Sequence, residues 1–70
     1  GEAEVEERLI QGSAGKLILS KSLPREKIKH FEELAKRTSV ETHIVSTETQ
    51  EGVQFDNIGG VGALLRYAMS

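Results

Sequence analysis

Seventy residues, 37% hydrophobic and 29% charged, have the composition of one small globular domain rather than a disordered tail or a multidomain protein. Nine Lys and Arg against eleven Asp and Glu leave a formal net charge of −2, which argues against nucleic acid as the main partner, because phosphate binding needs a basic surface. The absence of cysteine excludes disulfides and thiolate metal sites and fits a reducing, cytoplasmic setting, and the apolar runs are too short to cross a membrane as a helix.

The chain starts acidic, with Glu2, Glu4, Glu6 and Glu7 where a signal peptide would be basic. Residues 2–11 read as a short helix with Val5, Leu9 and Ala3 turned inward, stopped by Gly12, which takes the left-handed conformation readily. No capping residue precedes this helix, so the domain is expected to be truncated. Residues 16–20 read as a strand, and the unbroken run Leu17-Ile18-Leu19 suggests burial on both faces, as in a central parallel strand. After the tight connection Lys21-Ser22-Leu23, Pro24 stands where helices tolerate proline, in the first turn. The clearest helix follows over 24–38, with Ile28, Phe31, Leu34, Ala35 and Thr38 on one stripe. Its opposite face is charged, with Glu32/Lys36 and Glu33/Arg37 spaced as i,i+4 pairs.

A second strand is expected over 41–46. Thr47 or Thr49 then caps a helix running to Asn57, with Glu48 and Glu51 suited to its first turn. Gly52 weakens that helix and points to a close approach of another backbone. Gly59-Gly60-Val61-Gly62 forms a stop and turn. A third strand over 63–68 then carries Leu64 and Leu65, which together with Phe55 are expected in the core. The alternation α-β-α-β-α-β implies an α/β fold, a small three-layer α/β/α sandwich with a mixed or mostly parallel sheet. Three strands are few, and the sheet is expected to be completed by a missing segment, a second copy or a parent protein.

The chain assembles no catalytic constellation. Gly12-Ser13-Ala14-Gly15-Lys16 lacks the first glycine and the Ser/Thr of a phosphate-binding loop, and it precedes a strand rather than a helix. Gly59-Gly60-Val61-Gly62 does not complete a dinucleotide fingerprint. His30 on a helix and His43 on a strand have no ligand spacing between them, so no metal or cofactor is expected. Glu48, Glu51 and Asp56 are candidates for an acidic cluster, although capping and dipole roles already account for the two glutamates. No nucleophile, base and orienter occur together, so the chemistry reads as a binding module and not an enzyme. The charge is uneven: residues 21–37 are basic between two acidic stretches, a solvated helix face or a surface for an acidic partner.

Residues 49–67 add a second kind of information. Thr49-Gln50-Glu51-Gly52-Val53-Gln54-Phe55, followed by Gly59-Gly60-Val61-Gly62-Ala63-Leu64-Leu65-Arg66-Tyr67, resembles the end of the C-terminal domain of archaeal and eukaryotic class-1 translation release factors. In that family a helix with Gln-Glu-Gly-x-Gln-Phe leads through a glycine-rich turn to a strand ending Leu-Arg-Tyr. The ribosome-rescue factor pelota is the closest relative of that family, and Gln54-Phe55 and Tyr67 favour the release factor over it. Residues 5–20 are similar to the family's helix–strand pair and to the related L7Ae-like fold. The family usually carries more chain before this helix and an inserted minidomain after the first strand, where only Lys21-Ser22-Leu23 stand here.

The resemblance implies a single partner-binding domain, residues 1–70, that docks its factor onto a translational GTPase during stop-codon-dependent peptide release. That GTPase is the alpha elongation factor in archaea or the class-2 release factor in eukaryotes. The ribosome and the recycling ATPase are implied as partners of the full-length factor, in the cytoplasm. Glu51, Gln54, Arg66 and Tyr67 are the expected partner-binding residues, and Gly52, Gly59, Gly60 and Gly62 the structural glycines that present them. The alternative is an L7Ae-like RNA-binding module, which the basic helix supports and the acidic net charge opposes.

Overall fold

The computed structural model describes residues 2–66. The elements run α1 (Glu2–Gln11), β1 (Ala14–Ser20), α2 (Arg25–Arg37), β2 (Glu41–Val45), α3 (Gln50–Asn57) and β3 (Val61–Leu65). The sheet order is β2-β1-β3, with β2 parallel and β3 antiparallel to β1. The sheet is therefore mixed. The parallel pair needs a crossover, which α2 supplies. The chain through α3 then passes to the other edge of β1, so β2 and β3 never meet.

Alternation along β1 sorts the layers. Leu17 and Leu19 point to one face and are fully buried. There they join Val5 and Leu9 of α1, Phe31 and Ala35 of α2, and Val40, with Val61 and Ala63 of β3 packed against the group. Each such leucine contributes about 1.5–3 kcal/mol by leaving water. Ile18 points to the other face, its neighbour across the ladder is Gly62, and Phe55 of α3 lies over that glycine. The helices thus divide two and one across the sheet, giving three layers.

Pro24 stands at the start of α2, where its missing N–H costs no hydrogen bond, and Arg25 opens the helix. At the other end Thr38 Oγ1 donates to the Leu34 carbonyl at 2.9 Å and Ser39 turns left-handed with φ 59°. Val40 N then closes on Ala35 O at 2.7 Å, bringing the chain back into the core.

Several sequence expectations are corrected. Ala3 is exposed rather than inward, because it sits two residues from Val5, on the far side of a helix with 3.6 residues per turn. β1 starts at Ala14, two residues early, through an irregular register at Ala14/Lys16. β3 starts at Val61 and pairs from there with Leu19, so Val61 and Ala63, not Leu64 and Leu65, face the core. Leu64 is 55% exposed and Leu65 38%, because among the described residues β3 has only one β neighbour, β1. Phe55 is half-buried against Gly62. Residues 67 and 68, expected in this strand, lie outside the described residues. The Glu32/Lys36 and Glu33/Arg37 pairs do not form among the described residues. Instead α2 pairs across to α1, Lys27 with Glu2 at 2.7 Å and His30 with Glu6 at 3.0 Å.

Candidate docking surface

α3 is only eight residues long and is held at both ends rather than by a large buried face. At its start Thr49 Oγ1 accepts from Gly52 N at 3.0 Å, the hydrogen bond of an N-cap. Gly52 is buried, and a Cβ there would stand 1.8 Å from the Ser46 carbonyl oxygen. The first turn of α3 therefore rests directly on the backbone leaving β2. Glu51 falls in this first turn, where the helix dipole favours a carboxylate.

The far end of α3 is tied to the end of β1. Ser20 is the one buried polar residue among those described, and its Oγ lies 3.0 Å from Ser22 Oγ. Ser22 Oγ in turn donates to Asp56 Oδ1. Gly60 N donates to Phe55 O at 2.9 Å, while Ser20 N donates to Gly60 O at 2.8 Å, so one residue bridges helix and strand. Gly60 has φ 69°, and a Cβ there would come within 2.8 Å of Ser20 Cβ. Gly59 turns with φ 116° into open space, and at Gly62 a Cβ would lie 3.2 Å from Phe55 Cε1.

Held this way, α3 turns a flank outward. Glu51, Gln54 and Ile58 are spaced three and four residues apart, share that flank and are all exposed, Ile58 to 81%. Arg66 does not join them. Its backbone N donates to Ser13 O at 2.7 Å, beside the start of β1, whereas α3 is tied to the end of β1. The whole length of β3, roughly 15 Å, separates the two places. Tyr67 lies outside the described residues.

Two features were not singled out from sequence. The Ser20–Ser22–Asp56 chain has no local signal, because its members are up to 34 residues apart. Asp56 thus serves this tie rather than an acidic cluster with Glu48 and Glu51. Ile58 carries a readable sign: a large apolar residue between a helix end and two glycines has little to pack against. The described residues hold no group of three or more potential metal ligands, and His43 pairs with Glu41 at 3.5 Å, away from His30. No described helix is long and apolar enough to cross a membrane.

Over residues 1–69 the sequence matches the family described as eRF1 domain 3. The chain belongs to the eRF1 domain 3 family. Solved structures agree with this. The crystal structure of the archaeal translation termination factor aRF1 superposes with TM-score 0.83 at 29% identity, covering 96% of this chain and 19% of that one. A model of ribosome-bound archaeal Pelota and ABCE1 gives TM-score 0.75 at 30% identity, covering 100% of this chain and 21% of that one. The C-terminal domain of a peptide chain release factor from Methanosarcina mazei gives TM-score 0.85 over 96% of this chain and 68% of that one; at 23% identity this likeness is one of fold. No curated protein matches the chain. This eRF1 domain 3 chain thus spans about a fifth of the length of the aRF1 it matches. Its surface is that of the C-terminal domain of a translation termination or Pelota-type factor, and the α3 flank belongs to that domain.

Proposed function

We propose that this domain docks a class-1 translation termination factor onto its translational GTPase, the alpha elongation factor in archaea or the class-2 release factor in eukaryotes, in the cytoplasm. The observation that carries the reading is the match to eRF1 domain 3 along residues 1–69. The α3 flank supports it: Ile58 exposes a large apolar group beside Glu51 and Gln54, the pairing of an apolar anchor with a polar rim found at protein interfaces. The reading assigns the domain no catalysis. Peptide release, stop-codon reading, and contact with the ribosome and the recycling ATPase belong to the full-length factor. Gln54-Phe55 and Tyr67 favour termination over rescue.

The test is calorimetric titration of the folded domain with the alpha elongation factor in its GTP form, with a kinked RNA duplex in parallel. Saturable binding to the GTPase is expected, weakened at least about tenfold by Ile58→Asp, with silence toward RNA. A folded sample that ignores the GTPase overturns the reading. Salt-dependent binding to the RNA in its place would instead support an L7Ae-like module.

A further inference from the structure

The C-terminal end of α3 breaks a local rule. A carboxylate in the last turn of a helix stands at the negative end of the helix dipole, and Asp56 occupies that turn with no basic residue beside it. It makes no ion pair among the described residues. By local preference alone this position suits a lysine or an uncharged residue. Its partner is instead a hydroxyl 34 residues away, that of Ser22 in the turn between β1 and α2.

One hydrogen per hydroxyl fixes the direction of this chain. Ser22 Oγ gives its hydrogen to Asp56, because a carboxylate only accepts. The 3.0 Å contact between the two serine hydroxyls is then donated by Ser20. Ser20 Oγ in return accepts from Ser22 N at 3.3 Å. The bonds thus run from buried Ser20 through exposed Ser22 to Asp56, and the last of them ends on a charged acceptor, the stronger kind. The same turn packs around the end of α3. A Cβ on Gly60 would lie 2.8 Å from Ser20 Cβ, 3.3 Å from Asp56 Oδ1 and 3.4 Å from Leu23 Cδ2.

Asp56 does not share the outward flank. It stands two residues from both Gln54 and Ile58, about 200° round the helix from each. Those two are exposed, whereas Asp56 is half-buried. Beneath α3 there is little apolar area to set its pitch: Gly52 is its one buried residue and Phe55 is half-buried. The ties at the two ends set it instead, Thr49 to Gly52 at the start and Ser22 to Asp56 at the finish. We propose that Asp56 is a positioning residue for partner docking. Acting through Ser22 and its anchor Ser20, it fixes the angle at which α3 presents Glu51, Gln54 and Ile58, without touching the partner. This rests on the reading of the α3 flank as the GTPase-docking surface. A helix already held in its docking pose loses less freedom on association, so the bond contributes to affinity and not only to folding.

The experiment pairs calorimetric titration with the alpha elongation factor in its GTP form and amide NMR spectra of the free domain. The samples are the wild type, Asp56→Ala, Asp56→Asn, Ser22→Ala and the double variant Ser22→Ala/Asp56→Ala. Asp56→Ala should weaken binding about three- to tenfold, the loss of one hydrogen bond. In the free domain it should move the amides of residues 53–59 and speed their hydrogen exchange, with α2 unchanged. The double variant should bind no more weakly than Ser22→Ala alone, because both changes remove the same bond. Asp56→Asn keeps an acceptor for Ser22, so it should bind within about twofold of the wild type, with the same salt dependence. Wild-type affinity in Asp56→Ala, or losses that add in the double variant, would overturn the proposal. So would an Asp56→Asn loss as large as that of alanine with a changed salt dependence, since the carboxylate would then meet the partner directly. If the wild type itself ignores the GTPase, the docking reading falls, and the free-domain spectra decide the tie: moved α3 amides in Asp56→Ala support it, unmoved ones overturn it. Should Ser22→Ala unfold the domain by stranding the Ser20 hydroxyl, the two Asp56 variants, at a half-buried site, decide.

Discussion

Gly52→Ala separates two opposite expectations. In an exposed helix interior this change stabilises by about 1 kcal/mol, because alanine is the better helix former. Here the added methyl would meet the Ser46 carbonyl oxygen at 1.8 Å, where real Cβ contacts essentially never fall below 3.0 Å. The obstacle is backbone, so no side-chain rotation relieves it, and the first turn of α3 must lift from the end of β2. Overpacking of this kind costs about 1–3 kcal/mol. Lifting the turn also strains the 3.0 Å bond from Gly52 N to Thr49 Oγ1, and a cap of this type is worth about 1 kcal/mol. After the gain in propensity, the net loss is about 1–3 kcal/mol. A 70-residue domain has roughly 4–10 kcal/mol in all, and each kcal/mol moves Tm by about 4–8 °C. The expected drop is therefore about 5–20 °C in a thermal melt followed by circular dichroism, with Glu51→Ala on the exposed face as the near-neutral control. A Gly52→Ala protein as stable as the wild type, or more so, would refute the close contact between α3 and the β2 exit.

Three further outcomes test the remaining geometry. Gly60→Ala combines φ 69° with a 2.8 Å approach to Ser20 Cβ, whereas Gly12→Ala combines φ 77° with open space, so urea melts should show the first costing clearly more than the about 1 kcal/mol of the second. Leu17→Ala, at a fully buried position, should lose about 2–5 kcal/mol and come close to unfolding the domain, while Leu64→Ala on the edge should change the urea midpoint little. The Lys27–Glu2 and His30–Glu6 pairs are about half exposed, so Glu2→Gln and Glu6→Gln should each cost under about 1 kcal/mol, a loss that shrinks further in high salt.

The sequence by itself determined the order and type of all six elements. Helix spacing at Ile28, Phe31 and Ala35, the apolar run Leu17-Ile18-Leu19 and the glycine stops are local signals, and local backbone preference follows them. The motif between Thr49 and Tyr67 pointed to the release-factor family for a similar reason: its glycines answer backbone demands written within a few residues. Tertiary structure alone decided which strand became an edge. Leu64 and Leu65 look like core in sequence, but burial depends on neighbours, and among the described residues β3 has a single strand beside it. Register settled the rest: Val61 and Ala63 pair with buried Leu19 and Leu17, so the inward face falls on Val61 and Ala63. The same pairing carries Arg66 a strand length away from Glu51 and Gln54, although all three lie in one short motif. Sequence distance fixes what a residue can reach through its own element; the sheet order fixes what it meets.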